Sequence, residues 1–269
     1  MYRFVASRLL PLFSLLFLLP AGVLAASLEP LGLQDARLTG EGTGGFRLGL
    51  SFARNLPNQF QEQGTDRRLA EAPSASLNLG LSKRVEGELY YAVLHRQEDG
   101  RDDKWGSGDL TVAFKVGLNR PSAEGTAAAL RFATKLANAS DDDNLGTDET
   151  DFQADLLLSR PLGPAEGHLN LGFAMLGDPR PGHQGQADMI HYAVGLRIPL
   201  RPRSVDLLLA AEGLDVGMRL NRRGAVRGGF QIALGRYRWD LGGSLGYATR
   251  SEDWSVRTGL TIPFGFPAW

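Results

Sequence analysis

From Phe46 to Phe266, apolar and polar residues alternate in twelve short segments, and one register of every segment lacks Asp, Glu, Lys and Arg. Successive side chains of a β-strand point to opposite faces, so each segment predicts a strand with one greasy and one polar side. The first is the cleanest: Phe46, Leu48, Leu50 and Phe52 share a face, while Arg47, Gly49 and Ser51 take the other. Ala75 to Leu81 repeats the pattern; Val85, Leu89, Tyr91 and Val93 oppose Glu86, Glu88 and Tyr90; Leu110 to Leu118 opposes Thr111, Lys115 and Gly117. Eight further apolar registers start at Ala128, Phe152, Gly167, Ile190, Val205, Val226, Tyr237 and Trp254. About 60 positions of the apolar registers carry no formal charge, against about 14 charges among roughly 48 positions of the polar ones. With 22% charged residues overall, random placement would put about 13 charges on the apolar face. Lys or Arg at the midplane of a lipid face costs about 2–4 kcal/mol. A bilayer enforces that absence.

Connection lengths point the same way. Leu56 to Ser74, His95 to Asp109, Ala137 to Asp151, Leu176 to Asp188 and Leu214 to Arg223 are long. Between them Ser82 to Arg84, Pro161 to Pro164, Pro199 to Arg203 and Gly235-Arg236 are short. Bacterial barrels place long loops outside and short turns on the periplasmic side, with an even strand number. The predicted fold is therefore all-β: a transmembrane up-and-down antiparallel β-barrel of 12 strands. A soluble β-sandwich also alternates, but its wet face would be dominated by long charged residues. Here the polar register is rich in Gly, Ala and Ser, which suits a lumen whose opposing walls must not collide.

The N-terminus reads as an export signal. Arg3 and Arg8 precede an apolar run from Leu9 to Leu19, and Val23-Leu24-Ala25 offers a cut before Ala26. Residues 1–25 are thus expected to be a signal peptide, 26–45 a periplasmic lead that lines or partly plugs the mouth, and 46–269 the outer-membrane barrel. A net charge of −1 gives no basic excess for nucleic acid, and the absence of cysteine removes disulfides, thiolate metal sites and cysteine nucleophiles. Aromatics at the ends of the apolar registers (Phe46, Phe52, Tyr237, Tyr247, Trp254, Phe264, Phe266) suit interface girdles. The terminal Trp269 resembles the aromatic end that barrel-assembly machinery recognises, although it is out of phase with Phe264 and Phe266. Expected partners are outer-membrane lipid, lipopolysaccharide, that machinery and a small-molecule solute.

Motifs for chemistry are few. Gly40-Glu41-Gly42-Thr43-Gly44-Gly45 spells G-x-G-x-x-G, but a strand rather than a helix follows, so no helix N-terminus awaits a pyrophosphate. Asp141, Asp142 and Asp143 open an acidic run that reads as a solvated outer loop, with Ca²⁺ bridging to lipopolysaccharide as its functional alternative. His95 and His183 fall in loops, whereas His168 and His191 face inward from neighbouring strands, as lumen residues or as a metal or acid–base pair. No cofactor is implied and no catalytic constellation stands out.

The inward charges carry most of the expectation. Arg47, Glu86, Glu88, Lys115, Arg131, Lys135 and Asp155 belong to the first half, and Arg197, Asp206, Glu212, Arg227, Arg238, Asp240 and Arg257 to the second. Mutual neutralisation is one reading, since buried charges must be paired. The other is an asymmetric field, from Arg227, Arg238 and Arg257 on the last three strands and Arg47 on the first, that orients polar or anionic solutes.

The chain also resembles a family. Asp35 to Gly42 before the first strand, Gly108-Asp109-Leu110-Thr111, Ala133-Thr134-Lys135-Leu136, and Leu145 to Asp148 with Asp151-Phe152 are similar to segments of the outer-membrane barrels named after the meta-pathway of phenol degradation. Ala137 stands where that family usually has proline. The resemblance implies an outer-membrane barrel and passage of small hydrophobic or aromatic compounds. A channel or transporter for passive passage of small solutes is the function expected. The alternatives are a non-conducting structural barrel and an outer-membrane lipid-modifying enzyme.

Overall fold

A computed structural model describes residues 32–57, 66–120, 124–177, 186–202, 204–215 and 223–267. The expected signal peptide, His183 and Trp269 lie outside these. Thirteen strands form one antiparallel sheet: β1 (Thr43–Arg54), β2 (Arg68–Ser82), β3 (Val85–Gln97), β4 (Lys104–Ser107), β5 (Leu110–Gly117), β6 (Ala127–Leu136), β7 (Asp151–Leu162), β8 (Ala165–Gly177), β9 (Gln186–Arg201), β10 (Val205–Asp215), β11 (Arg223–Leu234), β12 (Tyr237–Gly246) and β13 (Trp254–Gly265). β1 pairs with β13 over its full length and with β2 on its other side, so the sheet closes on itself. β4 and β5 both pair with β3 and share one place in the wall. The result is a 12-strand barrel.

Alternation sorts the two faces as the sequence predicts. Leu50, Leu171, Ile190, Val194 and Leu245 stand more than half exposed on the outside, while Leu157, of opposite parity, is 0% exposed. Exterior side chains of this kind need acyl chains as solvent, and a closed barrel leaves no unpaired backbone inside the hydrocarbon. Two packed apolar clusters form where something enters the lumen, Leu157 with Ala36, Ala127 and Ala129, and Leu145 with Ala92, Leu94 and Ala139; a third, Ala174, Leu176 and Met189, lies between β8 and β9.

Several boundaries differ from expectation. β2 begins at Arg68, inside the stretch read as a long loop. β3 runs on to Gln97, which places His95 in a strand instead of a loop, and β4 occupies part of the expected His95–Asp109 connection. The predicted fourth strand, Leu110 to Leu118, is β5, and Gly108-Asp109, two poor strand formers, separate it from β4. Gly108 N–H still donates to Ala92 O (2.8 Å), but Asp109 turns its carboxylate to the amides of Asn138 and Ala139 (2.9 and 2.8 Å).

Candidate functional site

Register brings the inward charges into rows. Glu86, Lys115, Arg131 and Asp155 are directly opposite one another across β3, β5, β6 and β7. Lys115, fully buried, sits 3.3 Å from Glu86 and 3.4 Å from Glu88, and Arg131 lies 2.9 Å from Glu88. Asp155 instead meets His191 at 2.7 Å. Lys135 bridges Asp109 and Asp151 at 3.4 and 2.9 Å, Arg197 holds Asp206 at 2.9 Å, Arg238 neighbours Asp206 and Arg197, and Arg227 is joined to Glu212. Across the seam, Arg47 leaves β1, passes β13 at Gly259 and takes both oxygens of Asp240 on β12 (2.9 and 2.6 Å). Buried ions need partners, and these have them. Arg257 is the member of the fourteen set apart: among the described residues no carboxylate lies within ion-pairing distance of it.

The lead runs through the lumen. Gly42 N–H donates to Gly80 O (3.0 Å) at the rim. Thr39 N–H then donates to Glu86 Oε2 (2.6 Å), and Arg37 pairs with Glu166. Ala36 N–H donates to Ser159 Oγ (2.9 Å), and the Asn170 amide, oriented to satisfy both groups, bridges the backbone of Gln34. Inward glycines make the seats: Leu38 lies over Gly117 and Leu33 over Gly195, where a Cβ would collide. Gly32 ends the described path beside Glu212 and Arg227. The lead thus follows the wall from β3 round to β11.

From the opposite end, the acidic loop keeps Asp141 and Asp142 exposed, as in a solvated outer loop, but turns Asn144 to Thr147 inward. Leu145 packs against the inner face of β3. Arg96, 2% exposed, donates to Asp143 O (2.8 Å), Asp102 O (2.9 Å) and Glu98 (3.1 Å), while Arg67 donates to the carbonyls of Leu56 and Asn144 (3.0 and 2.9 Å). The Asn144 amide donates to Glu98 (2.8 Å). Burial pushes the Arg67 guanidinium down to about 10, still protonated at neutral pH. The Lys104 ammonium hydrogen-bonded to Asp143 (3.1 Å) holds that carboxyl below the usual range. Asp141, Asp142 and Asp143 do not converge as a ligand set; among the described residues no three His, Cys, Asp or Glu side chains cluster to hold a metal. Arg67, Arg96 and Glu98 were not singled out from sequence. Extending the inward parity of Glu86 and Glu88 would have reached Arg96.

Two chambers meet at the β13–β1–β2 wall, and the lower one touches the lead at Gly32. The lower, about 280 Å³, is lined by Arg47, Asn78, Glu88, Tyr90 and Arg131 among others. The upper, about 270 Å³, has Leu56, Leu69 and Leu214 towards the loops and His191, Glu212 and Arg227 below. They share Ser51, Glu71 and Arg257, which form the neck between them.

The histidines do not form one centre. His168 and His191 lie on paired strands but four residues out of register, about 13 Å apart along the wall. His168 Nδ1 bonds Ser159 Oγ (2.9 Å), but that hydroxyl is fully buried and accepts the Ala36 amide, so this Ser–His pair anchors the lead and offers no open nucleophile. His95 shares the outward parity of Leu89 and Tyr91, contrary to the expectation that no strand histidine faces out. Its ring is stacked on Trp105 (4.3 Å), and the nearby Ser107 hydroxyl is taken by Tyr91 and Gly108 O.

No protein-family model matches the chain, and no curated protein does so. Among solved structures, the COG4313 outer membrane channel from Pseudomonas putida F1 is similar with a TM-score of 0.65 and 14% identity, covering 85% of this chain and 97% of that one. The translocator domain of autotransporter NalP from Neisseria meningitidis (TM-score 0.48, 11% identity, 83% and 88% covered) and the β domain of the Bordetella autotransporter BrkA (0.48, 17%, 84% and 100%) align less well. At these identities the first likeness establishes the fold, that of a membrane-spanning outer-membrane-type barrel.

Proposed function

We propose that this chain is a bacterial outer-membrane channel for passive passage of small solutes, with the lead as its periplasmic plug. The observation that carries the reading is the pair of lumen chambers meeting at one neck. A barrel serving only as scaffold would fill that section with ion pairs, as it does along the β3–β7 wall. The polar Ser, Glu and Arg groups at the neck and the leucines above it suit solutes with both polar and apolar parts. Small aromatic or hydrophobic compounds, implied by the family resemblance, fall in that class. The charged rows are structural first, because their buried ions are tied to opposite ones, Arg257 excepted.

Proteoliposome swelling with graded solutes is the test. Vesicles carrying the full chain should swell faster than empty ones for solutes small enough for the neck. A variant lacking residues 32–41 should swell faster still. Rates equal to empty vesicles for both proteins would overturn the channel reading; equal rates for the two, both above background, would overturn the plug.

A further inference from the structure

Arg257 borders both chambers at their neck. Its cross-strand neighbours on the lumen face are Ser51 of β1 and Gly242 of β12, and Ser255 and Gly259 flank it along β13. All four are small. Arg47, Lys115, Arg131, Lys135, Arg197 and Arg227 each hold a carboxylate. The acids nearest Arg257, Glu71 and Glu212, are engaged elsewhere: Glu71 accepts the Ser51 hydroxyl (2.8 Å) and Glu212 holds Arg227.

A guanidinium presents a planar fork that matches a carboxylate with two parallel bonds. Towards the loops the same chamber turns apolar at Leu56, Leu69 and Leu214. Its volume of about 270 Å³ falls below the roughly 300–1,000 Å³ that houses drug-sized ligands. We propose that Arg257 is the recognition point for a small monocarboxylate, whose acid group sits on the guanidinium and whose apolar body rests against Leu56, Leu69 and Leu214. That such a compound is cargo rests on the channel reading; that it binds does not.

The probe is benzoate, titrated calorimetrically into the full chain in detergent, with benzyl alcohol as the uncharged counterpart of the same shape. Benzoate should bind one to one, and benzyl alcohol at least about tenfold more weakly, since hydrogen bonds to charged groups contribute about 1.5–3 kcal/mol. Arg257→Gln should weaken benzoate about ten- to a hundredfold without changing the heat-modified gel migration of the folded barrel. Arg257→Lys, which keeps the charge but loses the fork, should fall between. Equal benzoate affinity in wild type and Arg257→Gln, or equal affinity for benzoate and benzyl alcohol, would overturn the site. Chloride current in planar bilayers separates the two readings. Benzoate binding in a protein that passes no current keeps the site and removes the conduit; current without binding does the reverse.

Discussion

Arg47 begins on one strand and ends on another two places away, and the route depends on one absent Cβ. Gly259 lies on β13 where the guanidinium crosses to Asp240, and any side chain there would occupy the same space. Gly259→Val should therefore displace Arg47 and leave Asp240, 1% exposed, without its counter-ion. Breaking one partner from a buried pair costs about 3–5 kcal/mol, and water in the lumen brings the expectation to the lower end. A clearly lowered unfolding midpoint in detergent checks it; an unchanged one argues that Asp240 finds another cation. At this scale the sequence told which charges face inward, because parity alone decides that. It did not tell which of Arg47, Arg238 and Arg257 would lack a carboxylate. Side-chain reach across two strands depends on register and on glycines, and neither is a local property.

Inserted elements fill the barrel from both ends. The loop of residues 137–150 is held by arginines reaching its backbone carbonyls, so its acidic side chains are largely incidental to its position. Arg96→Met should loosen it: three side-chain bonds vanish, and each bond to a charged group contributes about 1.5–3 kcal/mol. Hydrogen exchange at amides 139–147 should accelerate at least about tenfold, and single-channel conductance should rise. Unaltered exchange would show that Arg67 and Leu145 suffice to hold the loop. The acidic run looked like a wet surface segment because polar composition cannot distinguish a loop facing water from one whose backbone is hooked inward. The lead was easier to suspect, since an apolar-polar stretch with many small residues precedes a strand that must start at the rim. Its anchors, Ser159, Asn170 and Glu86, come from β7, β8 and β3, far from the lead in sequence, and were not readable as a set.

For the molecule as a whole, twelve segments with one uncharged register sufficed to specify a closed barrel. What the pattern blurred were the strand ends, where β3 and β4 rise beyond the apolar band and alternation mixes with charge. The lipid-facing assignment has a direct test. Leu171, half exposed at the middle of β8, should on replacement by Arg destabilise the barrel in bilayers by about 2–4 kcal/mol, read from reversible denaturant unfolding. A negligible effect would mean that this surface is met by something other than acyl chains.

The seam adds a consequence for assembly. β1 completes the cylinder against β13, and the segment just before β1 is the one stowed in the lumen. Sealing and filling therefore concern the same stretch of chain. The final hydrogen-bond ladder and the internal tenant draw on neighbouring residues, so weakening the Thr39–Glu86 or Ala36–Ser159 contact should slow closure of the barrel as well as loosen its filling.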